Sequence, residues 1–97
     1  MGWSLATQTE VSEPQHTGIN IPFDVLPFDR EKYPTLSSIA PYYDTFFNPD
    51  QLVAFIAEWD AARNDPEHDE RMQHWQVVRD LAERCRAEQL YLRFIGD

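Results

Sequence analysis

Apolar and polar positions along the chain follow two periods, and the change of period marks where one element gives way to another. Between residues 48 and 63, Leu52, Phe55, Ile56 and Trp59 fall at i, i+3, i+4 and i+7, the stripe of an amphipathic helix. Its start is heavily signalled. Asn48 is a preferred N-cap, Pro49 follows at N1 where a missing N–H is harmless, and Asp50 sets negative charge against the positive end of the helix dipole. Gln51 at N3 completes a capping-box pattern with Asn48, and Phe47 and Leu52 have the spacing of a hydrophobic staple. Asn64, a residue tolerant of the left-handed conformation, supplies the stop together with Asp65 and Pro66.

A second helix is predicted over about 66–88. Asp65 caps it, Pro66 occupies N1, and Glu67, Asp69 and Glu70 load its first turns with negative charge. Met72, Trp75, Val78, Ala82 and Cys85, with Leu81 beside them, keep a three/four spacing, and Arg84 and Arg86 lie at the end that favours cations. A short turn between the two helices makes an antiparallel hairpin.

Elsewhere the period is two. Ile19, Ile21, Phe23 and Val25 alternate with Asn20, Pro22 and Asp24, a strand with one buried face. Pro22 removes a ladder donor, which places this strand at an edge or a bulge. In the tail QLYLRFIGD, Leu90, Leu92 and Phe94 alternate with Tyr91, Arg93 and Ile95. A strand this apolar must be paired or covered, and its expected partner is the 19–25 strand. Residues 2–10 alternate loosely, with Trp3, Leu5 and Thr7 against Ser4, Ala6 and Gln8. Residues 11–18 read as a loop and 27–41 as an irregular connection with a helical turn near 36–39. The run 42–47, YYDTFF, reads as a short strand or an aromatic turn. Together these elements predict a single α+β domain over 1–97: a helical hairpin packed on a mostly antiparallel sheet of about three strands.

Composition narrows the function more than the fold. A formal charge of −9, from 17 acids against 8 bases, disfavours binding to nucleic acid phosphate and suits a basic protein partner. There is no apolar run long enough for a membrane span and no basic-then-apolar secretory leader. The single cysteine, Cys85, cannot form an internal disulfide. These features predict a cytoplasmic protein. The bases other than Lys32 are all arginine, a skew that points to a GC-rich, actinobacterium-like genome.

Candidate chemistry is sparse. His68 and His74 are six residues apart, about 240° round a helix, so they diverge, and Glu70 with His74 makes only two ligands. Cys85 falls on the apolar stripe and reads as a small core residue, not a nucleophile. No glycine-rich phosphate loop, HExxH or nucleophile elbow occurs, so no catalytic residue, cofactor or metal is expected. What stands out is an acidic cluster around the predicted turn, Glu58, Asp60, Asp65, Glu67, Asp69 and Glu70, with Arg63 as the one base among them. Tyr42, Tyr43 and Asp44 have no evident folding role and complete the candidate partner-binding set, with Trp3 and Trp75 as further anchors if exposed.

The segments YPTLSSIAPYYDTFFNPDQ, DLAERCRAE and LYLRFIGD together resemble a family of small, acidic, largely uncharacterised actinobacterial proteins. The resemblance covers roughly residues 33–97, is most specific at 44–48 and 92–97, and implies no established activity, cofactor or catalytic residue. In size and acidity the chain is also similar to the immunity proteins of bacterial toxin systems. The expectation is an acidic protein-binding module of the immunity or antitoxin-like type. The alternative is a small-ligand or metal-binding regulatory domain with a concave site containing Tyr42, Tyr43 or His74.

Overall fold

A computed structural model describes residues 2–9, 13–22, 29–40, 42–64 and 72–96. In chain order the elements are β1 (Gly2–Gln8), β2 (Gln15–Pro22), a 3-10 turn (Leu36–Ser38), β3 (Thr45–Phe47), α1 (Pro49–Arg63), α2 (Met72–Ala87) and β4 (Tyr91–Gly96). The strands form one antiparallel sheet in the order β2-β1-β4-β3, and the two helices pack on it, an α+β architecture. The expected sheet of about three strands gains a fourth because 45–47 pairs with β4. The Cα radius of gyration, 12.4 Å, is close to the roughly 12.5 Å of a compact domain of this length.

The pairing of the terminal strand differs from expectation. β4 lies between β1 and β3, while β2 pairs with β1 alone among the strands. Burial of Leu92 and Phe94 explains the difference. A strand whose inner face is wholly apolar is best protected in the middle of a sheet, where neighbours cover both of its edges. Pro22, short of a donor, does lie on an edge strand. β2 also begins earlier than the loop reading of 11–18 allows. Ser4 pairs with Asn20 but Ala6 with His16, so the β2 chain bulges between them. Gly18 takes φ 78° there, Thr17 Oγ1 donates to the Leu5 carbonyl at 2.8 Å and accepts from Ile19 N–H at 3.2 Å. The glycine that looks like loop punctuation is the left-handed residue of a bulge. Phe23, Asp24 and Val25 lie outside the described residues, as do Asp65 and Pro66, the expected cap of the second helix.

The start of α1 forms as its residues demand. Gln51 N–H donates to Asn48 Oδ1 and Asn48 N–H to Gln51 Oε1, each at 2.8 Å, a complete capping box. Leu52, Phe55, Ile56, Trp59 and Ala62 are buried. The other end departs from expectation: Asn64 is right-handed, φ −86° and ψ −2°. Its N–H reaches the Ala61 carbonyl and its Nδ2 the Asp60 carbonyl, so the last carbonyls are served without a left-handed residue. α2 ends the other way. Gln89 takes φ 59°, and Leu90 N–H reaches back to the Cys85 carbonyl at 2.8 Å, the long bond of a Schellman motif.

Two tryptophans join the helices. Trp59 Nε1 donates to the Trp75 carbonyl at 2.9 Å, and Trp75 Nε1 donates to the Trp59 carbonyl at 3.1 Å. Each indole thus finds a buried acceptor on the opposite helix, which fixes their relative register. Beneath them, Phe94 of the inner strand β4 meets Trp3, Phe47 and Phe55 at ring-centroid distances of 6.4, 5.9 and 5.8 Å. Phe47, placed in a staple by its spacing, is buried and turns its ring to Phe55 at 5.2 Å. Trp3 and Trp75 are core residues, not surface anchors. No helix among the described residues is long and apolar enough to cross a membrane.

Candidate functional site

The sheet face opposite the helices carries Phe46 and Arg93, which pair across β3 and β4. Cross-strand pairing sets the Arg93 guanidinium over the Phe46 ring, 4.6 Å from its centroid. From there Arg93 Nη1 donates to Gln8 Oε1 on β1 at 3.2 Å. Its Nε donates to Asp44 Oδ2 at 3.1 Å, and Nη2 binds the same oxygen. One side chain therefore ties β1, β4, β3 and the turn before β3. Beside that turn Tyr42 and Tyr43 are 62% and 75% exposed, and Phe46 is 40% exposed. A polar clamp holds an aromatic, solvent-facing corner. Asp44, expected as a partner-facing acid, is engaged with Arg93. Nothing in the local sequence signals this ion pair, because its partners are 49 residues apart.

The acidic cluster divides. Glu58 turns toward the 3-10 turn, where Oε1 accepts from Thr35 N–H at 2.9 Å and from Leu36 N–H at 3.1 Å. Asp60 accepts from Arg79 Nε at 2.9 Å and from Nη2 at 3.4 Å across the helix pair. The hydrogen bond and the charge of Asp60 raise the Arg79 pKa further above its ordinary value. Both acids thus have structural partners on other elements. Asp65, Glu67, Asp69 and Glu70, and also His68, lie outside the described residues.

A groove of about 420 Å3 opens between the last turn of α1 and the first half of α2. Among the described residues, Asp60, Arg63, Asn64, Trp75, Gln76 and Arg79 line it. The Arg63 guanidinium lies over the Trp75 ring, 4.3 Å from the centroid, and that of Arg79 is 5.8 Å from the same ring. Tyr42, Tyr43 and His74, around which a concave site is expected, are not among the described residues that line this groove, and of its two arginines the sequence reading singles out only Arg63. The spacing of Arg63 and Asp60 on one helix was visible; their meeting with Trp75 and Arg79 required the helix pairing.

Cys85 is buried against the sheet side of α2. Burial pushes its thiol up to about 11, with Arg84 drawing it down and Glu88 pushing it up. A thiol in this state is a poor nucleophile at neutral pH. Among the described residues no group of three His, Cys, Asp or Glu side chains could hold a metal ion. No family model matches the chain, and no curated protein or solved structure matches it.

Proposed function

We infer that the chain is an acidic protein-binding module of the immunity or antitoxin-like type, acting on a basic protein partner through the corner built by Tyr42, Tyr43 and Phe46. The observation that carries this reading is the exposure of two adjacent tyrosines on a clamped scaffold. Tyrosine offers large contact area with few rotors to freeze, and it leads among interface hot spots. Arg93 holds the turn from below through Asp44, Gln8 and Phe46, so little ordering is left to the moment of binding. The net charge of −9 adds long-range attraction toward a basic surface. Glu58 and Asp60 are engaged by other elements, so the tyrosine corner carries this reading, and Asp65, Glu67, Asp69 and Glu70 add their charge to the attraction. The resemblance in size and acidity to immunity proteins supports the type of partner: a basic, toxin-like protein.

The test is affinity capture from the source organism at low and then high salt, with the native chain and a Tyr42→Ala, Tyr43→Ala double variant side by side. The expected result is a basic protein retained at low salt, released at high salt and lost from the variant, whose melting temperature stays unchanged. Absence of any basic protein at low salt overturns the reading, and equal capture by the variant removes the tyrosine corner from it.

A further inference from the structure

We propose that the groove between α1 and α2 is a binding site for a small carboxylate, with Arg63 as the residue that takes the carboxylate. Among the described residues the lining supplies two guanidinium groups, Arg63 and Arg79, against one carboxylate, Asp60. Two of these three charges satisfy each other: both Asp60 oxygens accept from Arg79, and Arg79 has Glu83 at 3.9 Å besides. Arg63 differs. Its contact is the Trp75 ring, and it meets no acceptor among the described residues. Trp75 Nε1 donates to the Trp59 carbonyl, so the indole supports Arg63 as a face and offers no competing donor.

A guanidinium laid over a ring keeps its N–H edge available, and that edge matches a carboxylate with two parallel hydrogen bonds. Among the described residues of the lining, two bases less one acid leave one positive charge, which suits a monoanion better than a phosphate dianion. Asn64 and Gln76 add amide groups at the rim, each already giving one hydrogen bond, to the Asp60 carbonyl and to Asp80. The volume, about 420 Å3, falls in the ordinary range for small-molecule sites and leaves room for the body of a ligand beyond its carboxylate. The acidity of the chain opposes every anion at long range, but at about 0.15 M salt that repulsion is screened within about 8 Å, whereas contact with Arg63 is not. This site is separate from the tyrosine corner and stands or falls independently of it.

The experiment is a titration of the isotope-labelled chain with benzoate, acetate, inorganic phosphate and chloride at matched ionic strength, followed at the Arg63 Nε–H and Trp75 Nε1–H signals. Saturable shifts at both signals are expected with benzoate, weaker ones with acetate, and none with phosphate beyond those of chloride. Arg63→Gln is expected to weaken benzoate binding about tenfold, as for loss of a charge-assisted bond. Arg84→Gln, an exposed arginine elsewhere on α2, leaves it unchanged. Shifts no larger with benzoate than with chloride overturn the site. Tighter binding of phosphate than of benzoate overturns the assignment to a carboxylate, and equal binding by the Arg63 variant overturns the role of Arg63.

Discussion

Glu58 accepts, across 23 and 22 residues of sequence, from the backbone N–H groups of Thr35 and Leu36. Those N–H groups begin the 3-10 turn, where no partner exists within the turn itself, and Leu36 is fully buried. Replacing Glu58 by Ala leaves both donors without an acceptor, at a cost of about 1–3 kcal/mol. Glu58→Gln keeps one acceptor oxygen and loses less. Urea midpoints of the two variants check the ranking; a Glu58→Ala protein as stable as the parent would mean water serves these donors equally well. Cys85 gives a second test with a definite sign. Its folded pKa, raised from 9.0 to about 11, means that the unfolded chain loses the thiol proton first as pH rises. Its contribution is intact below pH 9 and is lost as pH climbs through about 11, a loss of about 2–3 kcal/mol over that window. The quantity to measure is the difference between parent and Cys85→Ala across pH 8–11. A difference that stays constant through that range refutes a perturbed thiol.

At the scale of elements, what the local sequence could specify is what formed. The capping box of α1 depends on four consecutive residues, 48–51, and its apolar stripe on one helix face, so both were legible before any fold was known. Strand pairing was not legible, because alternation tells which face of β4 is buried and not which strands lie beside it. The end of α2 was half legible. The stripe stops at Cys85, but no glycine marks the left-handed position, which Gln89 occupies with its Nε2 donating to the Arg86 carbonyl at 3.1 Å. A non-glycine residue at positive φ costs roughly 1 kcal/mol. Gln89→Gly removes that strain, at the expense of an exposed hydrogen bond and a more flexible unfolded chain. A net gain of about 0.5 kcal/mol is expected, visible as a higher urea midpoint with an unchanged slope. A loss of more than about 1 kcal/mol would mean that the Gln89 side chain, and not the backbone, makes the cap.

For the whole molecule, charge acts in two directions that can be separated. The exposed ion pairs, such as that of Arg84 with Glu88, are worth at most about 1 kcal/mol each and weaken with salt. The net charge of −9 is self-repulsion spread over one small body, and salt relieves it. Among the described acids, Glu58, Asp60 and Asp44 are engaged with other elements, which leaves the candidate surface only partly readable from the chain: the charge is countable, but which carboxylates face solvent is not. Because acids exceed bases by nine, repulsion outweighs the pairs, and the urea midpoint is expected to rise as sodium chloride increases from about 0.02 to about 0.2 M, a range over which screening tightens from tens of ångströms to under ten. A falling midpoint would show that the ion pairs dominate. Association with the proposed basic partner must respond with the opposite sign, its on-rate decreasing over the same salt range because the same field that strains the fold steers the encounter. Stability and association moving together with salt would mean that a different surface, not the net acidity, governs recognition.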